Sequence, residues 1–175
     1  MDALLAIVSK RDWRSYGGQV IDEAATNRII DAGRMAGSGL NRQRWRFDVV
    51  ATQAERDRLA EATWTAQNLR TAPLVIAISI WGGQMGAFDA GRAAQNMMLA
   101  AWNEGIVSCP NGFSDAALAA SLLGTSNEES PLLAISFAYP ARPSNPETRS
   151  VEDWKRRANR KARSRVVQGD DVVDA

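Results

Sequence analysis

Three short stretches of this 175-residue chain hold side chains whose types and spacing suit chemistry. Lys10, Arg11 and Arg14 put three cations within five residues, interrupted by Asp12 and Trp13 and closed by Tyr16-Gly17-Gly18. Such a cluster is commonly a solvated edge, and it also has the charge to hold a phosphate. Asn41 and Gln43 alternate in the polar loop from Ser38 to Trp45. An extended backbone there would point both amides the same way, towards backbone partners or towards the carbonyls and ring nitrogens of a heterocycle. After the β-branched pair Ile106-Val107 comes the turn Cys109-Pro110-Asn111-Gly112, which reads either as plain connection or as a ligand contact.

What the chain lacks narrows the chemistry. It has no histidine and one cysteine. That removes Ser-His and Cys-His nucleophile pairs and the usual zinc sites. If the protein is an enzyme, a cofactor carries its reaction. One cysteine also excludes a disulfide framework and fits a reducing cytoplasm. No apolar run reaches the roughly 18 residues of a membrane span, and no secretion signal opens the chain. The net charge of +1 hides a split. Lys155 to Arg165 holds seven basic residues and no acid, and the last ten residues add Asp170, Asp171 and Asp174. Residues 1–154 are left with 14 basic and 17 acidic side chains, a net of −3.

The elements that must position these residues follow from pattern and punctuation. Residues 2–10 read as a first helix, and Asp22 is a good N-cap for a second running to about Ala36. Gly33, Gly37 and Gly39 do not form a dinucleotide fingerprint, because the spacing is wrong and no strand precedes them. Strands are expected over Arg46 to Ala51, Leu74 to Trp81 and Leu132 to Tyr139, the last two strongly apolar. Residues 53–62 form a charged surface helix, Asp115 to Leu123 a short one before Gly124, and Val151 to about Ala162 a last one that becomes the basic tail. The helix from Asp89 to Glu104 carries one polar stripe of Asp89, Arg92, Asn96, Asn103 and Glu104 on a largely apolar circumference. Such a helix is buried on nearly every side.

Taken in order, the motifs resemble those of the flavin-dependent nitroreductases over about residues 3–154. Ser9-Lys10-Arg11-Asp12-Trp13-Arg14-Ser15-Tyr16 is similar to the family's opening Ser-Arg-Arg-Ser pattern. Ala36-Gly37-Ser38-Gly39-Leu40-Asn41-Arg42-Gln43-Arg44-Trp45 resembles its Ala-Pro-Ser-Gly-x-Asn-x-Gln-Pro-Trp loop. Ala72-Pro73, Asp89-x-Gly91-x-Ala93-x-Gln95-Asn96, Gly105-x-x-Ser108-Cys109 and Phe137-Ala138-Tyr139-Pro140 also match in sequence order. Asp12 stands where the family has Ser, beside the expected phosphate.

The resemblance implies an α+β nitroreductase-like fold, with a central, mostly antiparallel sheet flanked by helices. It implies an obligate homodimer with a buried central helix and FMN at the interface, residues 1–154 being the FMN domain and 155–175 a basic, then acidic tail. Lys10, Arg11, Asp12 and Arg14 would surround the phosphate, ribityl chain and pyrimidine edge. Ser38, Asn41 and Gln43 would reach FMN from the partner chain. Pro110, Asn111 and Gly112 would lie beside the ring, with a backbone N–H aimed at N5, and Arg149 would meet the phosphate. No side chain would act as a catalyst, since the flavin carries the chemistry. The implied activity is cytoplasmic reduction of a nitro compound, quinone or similar small acceptor by NAD(P)H in ping-pong order.

Two other functions compete. The Asn-Arg-Gln-x-Trp loop and Cys-Pro-x-Gly turn also look like cyclodipeptide oxidases, in which a flavin oxidises a specific metabolite. A binding module would use the basic tail on an acidic partner, though the tail lacks the interleaved aromatics that stack on nucleic-acid bases.

Overall fold

Every residue of β2 (Leu74–Ile80) is buried, as its apolar run, interrupted only by Ser79, requires of a strand covered on both faces. The computed structural model describes residues 1–168. It pairs β2 antiparallel with β1 (Trp45–Val49) on one side and with β4 (Ser130–Ala138) on the other, and β4 antiparallel with β3 (Val107–Gly112). The order is β1-β2-β4-β3, so β1 and β3 are the edges. The period of two divides the core cleanly. Leu74, Ile76, Ile78 and Ile80 face one apolar cluster with Ile29, Met97, Ile135 and Phe137. Val75 and Ala77 face a second with Leu59, Leu69, Ala119 and Ala134.

The first cluster is closed by α2 (Glu23–Arg34) and α5 (Gly83–Asn103). The second is closed by α3 (Gln53–Glu61), α4 (Ala66–Thr71) and α6 (Ala116–Leu123). Capping sets where these helices start. Asp22 accepts the Ala25 N–H at 2.7 Å, and Asp115 accepts the Leu118 N–H at 2.9 Å. Thr52 and Glu55 form a reciprocal capping box on α3. All of this lies in one unit, residues 11–144. The other unit, Met1–Lys10 with the chain from Asn145 onward, holds α1 (Ala3–Ser9) and α7 (Val151–Arg157), and Trp154 Nε1–H donates to Pro146 O at 2.9 Å.

Five expectations change. The helix expected to reach Ala162 stops at Ala158, where Asn159 turns to φ 47°. The central helix starts six residues before Asp89, because Gly82 at φ 79° turns the chain into it without a side-chain cap. Its polar stripe does not stay together: Asp89 is buried, Asn96 Nδ2–H donates to Ala32 O, and Glu104 takes a bidentate pair from Arg28 on α2. Within one chain the helix is not covered all round either, since Met85 and Phe88 stand exposed. Finally, Cys109 to Gly112 is the end of β3 and not a turn. The acidic end with Asp170, Asp171 and Asp174 lies outside the described residues.

Candidate active site

The cationic segment is strung along the open edge of β3. Asp12 forms a parallel bridge with Ser108, and the Trp13 N–H donates to Ser108 O at 3.2 Å. Further on, Tyr16 bridges Pro140 and the Gly17 N–H donates to Tyr139 O at 2.7 Å. Arg11 is thereby held half-buried and Arg14 exposed beside the strand.

The edge of β3 has a definite polarity. Ser108 O accepts from Trp13, and Gly112 O accepts from the Trp64 N–H at 3.2 Å. Peptide groups alternate along an antiparallel strand. Those of Ser108, Pro110 and Gly112 therefore turn away from β4, and those of Val107, Cys109 and Asn111 turn towards it. Pro110 occupies an outward position, where its missing N–H costs no ladder bond. Gly112 directs an N–H outward. A Cβ at Gly112 would meet only Trp64 Cδ1 at 3.6 Å, and the Trp64 indole is 76% exposed. Sequence reasoning missed Trp64. The one signal for it was a large aromatic between two threonines after a charged helix.

The Asn111 side chain points the other way, into the protein. It is 1% exposed, and its Oδ1 accepts from Thr65 Oγ1–H and Asn68 Nδ2–H, both at 2.7 Å. Its Nδ2 donates to Cys109 O at 2.8 Å, Ser136 Oγ at 3.1 Å and Ala134 O at 3.2 Å. Tyr16 and Ser136 hydroxyls lie 2.7 Å apart. Burial pushes the Tyr16 phenol up to about 12, against the lowering effect of that hydrogen bond.

Other expected residues are placed elsewhere. Asn41 and Gln43 do not lie on an extended backbone. Leu40, Asn41 and Gln43 all adopt left-handed φ, at 53°, 54° and 47°, because the Ser38 hydroxyl accepts the Gln43 N–H at 2.9 Å and closes the loop. Both amides are exposed, and Gln43 Nε2–H donates weakly to Asn41 O at 3.4 Å. Lys10 and Arg149 belong to the smaller unit, where the Arg149 guanidinium stacks 5.2 Å from the Trp154 ring centre. The larger unit holds Arg11, Asp12, Arg14, Pro110, Asn111 and Gly112, with Asp12 and Trp13 tied to β3 at Ser108.

This donor set fits a planar, anionic, heteroatom-rich group. It offers two guanidinium groups on the segment paired with β3, and on β3 itself an outward peptide N–H at a glycine with open space beside it. Ser108 Oγ adds a buried polar atom with no hydrogen-bond partner among the described residues. The fold and this edge define an α+β protein whose antiparallel sheet ends in a cationic ledge along β3.

Comparison with known proteins makes the assignment specific. The family model for the Nitroreductase family matches residues 7–81 and 64–139. A provisionally named NADH dehydrogenase/NAD(P)H nitroreductase of Methanothermobacter thermautotrophicus is 27% identical over 111 residues, which is 61% of this chain and 58% of that protein's length. The crystal structure of a protein given the same provisional name, from Bacteroides thetaiotaomicron, superposes with a TM-score of 0.76 at 25% identity, covering 83% of this chain and 91% of the other. Nitroreductase A of Vibrio parahaemolyticus has the same fold, with a TM-score of 0.81 at 20% identity over all of this chain and 78% of its own. The NADPH:FMN oxidoreductase of Vibrio harveyi, solved with NAD+, gives 0.74 at 23% identity over 79% of this chain and 68% of its own. The chain belongs to the Nitroreductase family.

Proposed function

We propose that this chain uses FMN to reduce a small organic acceptor, such as a nitro compound or quinone, at the expense of NAD(P)H in ping-pong order. The observation that supports this reading is the pairing of the Arg11–Tyr16 segment with β3 at Ser108, which brings a segment carrying two arginines onto the strand that ends in Pro110-Asn111-Gly112. When bound, FMN supplies the hydride acceptor and donor, which suits a chain without histidine. Arg11 would hold the phosphate. Arg14 would lie on the pyrimidine edge, where its charge favours the reduced ring. Pro110 and Gly112 would flank the ring, and the Gly112 N–H would tune it. Asp12 would face the phosphate end, a negative charge that weakens phosphate binding. Ser38, Asn41 and Gln43, on an exposed loop, would serve the site of a second copy. Residues 1–154 form the FMN domain in this reading.

The test is a flavin titration with absorbance and potential readouts. The protein should turn yellow on reconstitution and release FMN, not FAD, on denaturation. Arg14→Ala should weaken FMN binding about ten- to a hundredfold, the cost of a charge-assisted hydrogen bond of about 1.5–3 kcal/mol. It should also make the flavin harder to reduce, while the melting curve stays within about 0.5 kcal/mol of the parent because Arg14 is exposed. No FMN binding at micromolar concentration sinks the reading.

A further inference from the structure

The hydrogen bonds around Asn111 run without a break through four segments of the chain. Tyr16 ends the cationic segment, and its hydroxyl meets Ser136 Oγ on β4 at 2.7 Å. Ser136 Oγ–H also reaches Cys109 O on β3 at 3.1 Å, and it accepts from Asn111 Nδ2–H. Asn111 Oδ1 then takes Thr65 Oγ1–H and Asn68 Nδ2–H, at the start of α4 next to Trp64. The amide orientation of Asn111 is fixed. Reversing it would set its oxygen against the carbonyl oxygens of Cys109 and Ala134.

Stability alone does not call for this cluster. The same face of the sheet is lined by Val75, Ala77 and Ala134, and an apolar core there would cost nothing to desolvate. A saturated polar network instead fixes a unique geometry. Three of the segments it joins each carry a group proposed to serve the site: Arg14 two residues before Tyr16, the Gly112 N–H after Asn111, and Trp64 before Thr65. Asn111 also bonds the carbonyl two residues back in its own strand, which holds the pleat that turns Gly112 outward.

We propose that Tyr16, Ser136, Asn111, Thr65 and Asn68 are a buried positioning network that sets Arg14, Trp64 and the Gly112 N–H in register for FMN. The proposal rests on the FMN reading above. None of the five touches the ledge with the atoms used in the network. They act through the backbone they hold.

Asn111→Leu removes the hub but strands several buried polar groups, so the ends are the better probes. Tyr16→Phe and Thr65→Val each remove one hydroxyl. Each should keep a cooperative melting transition, weaken FMN binding by about three- to tenfold, and shift both the visible spectrum and the midpoint potential of the bound flavin. Their combined loss of affinity should differ from the product of the single losses, because both act through Asn111. Thr65→Ser keeps the hydroxyl and should restore parent affinity and potential, whereas a Thr65→Ser as impaired as Thr65→Val counts against the network. Thr71→Val, at an exposed hydroxyl of α4 bonded only to Gln67 O, should change nothing. If the parent binds FMN and both end variants match it in affinity, spectrum and potential, the network is a core fastening only and the proposal fails. A parent that binds no FMN overturns the functional reading, and this inference with it.

Discussion

Tyr16 shows how one side chain couples the cationic segment to the sheet, and its titration gives a direct probe of that coupling. Burial raises the phenol from 10.0 to about 12, the Ser136 hydrogen bond partly offsets this, and Cys109, Arg14 and Asp12 contribute smaller charge effects. A raised folded-state pKa means that the protonated phenol stabilises the fold. That contribution is complete below pH 10 and is lost as the pH climbs from 10 towards about 12. Tyr16→Phe cannot ionise, so its stability should fall less steeply than the parent's across this window in paired denaturant titrations. Parallel curves would show that Tyr16 is not held in the buried setting described. At this scale the residues of the proposed site are easier to pick out in the sequence than the bonds that support them. Arg11, Arg14 and the Pro110–Gly112 stretch stood out because charge clusters and Pro/Gly punctuation are local signals. The bonds from Asn111 to Thr65 and Asn68 span more than 40 positions, and polar residues so far apart leave no periodic trace.

Elements were legible where pattern and cap agreed. Strands β2 and β4 are apolar runs, and α2, α3 and α6 begin at side chains that do cap them. The failures have physical causes. Strand β3 has six residues including Pro, Asn and Gly, so its strand character comes from pairing with β4 and not from propensity. Helix α4 has six residues and too few turns to show a period. Gly33 was rejected as a cofactor glycine, and the structure gives its actual use. A Cβ there would lie 2.3 Å from Met97 Cε and 2.8 Å from Met97 Cγ, so its absence lets α2 approach α5. Gly33→Ala should gain up to about 1 kcal/mol of helix propensity. It should lose more to overpacking, about 1–3 kcal/mol, because Met97 is fully buried and clashes along its length. A lower melting temperature is the expected result, and a higher one would show that Met97 has room to move aside.

At the scale of the whole molecule, the exposed side of α5 asks for a second copy. Met85 and Phe88 are 54% and 64% exposed, and a groove of about 480 Å³ runs past Phe88, Gly91, Arg92, Gln95 and Asn96. The loop carrying Ser38, Asn41 and Gln43 borders the same side, since Arg92 lies against Gly37, where a Cβ would meet its Nη2 at 2.7 Å. A dimer closed over α5 would therefore bury the apolar ridge and carry this loop onto the other copy in a single step. Such a dimer is two-fold, so one substitution appears twice in its interface. Burying a phenylalanine is worth about 1.5–3 kcal/mol, and a carboxylate in its place adds a desolvation cost. Phe88→Asp should thus weaken dimerisation by at least a hundredfold. Light scattering should report twice the 19.0 kDa chain mass for the parent and a single chain for Phe88→Asp at micromolar concentration. The same variant should lose FMN binding although Arg11, Arg14 and β3 are untouched, because Asn41 and Gln43 no longer reach a site. A parent of single-chain mass would remove the dimer from this account. A monomeric Phe88→Asp that still binds FMN like the parent would assign the whole site to one chain and leave the 38–43 loop without a role in it.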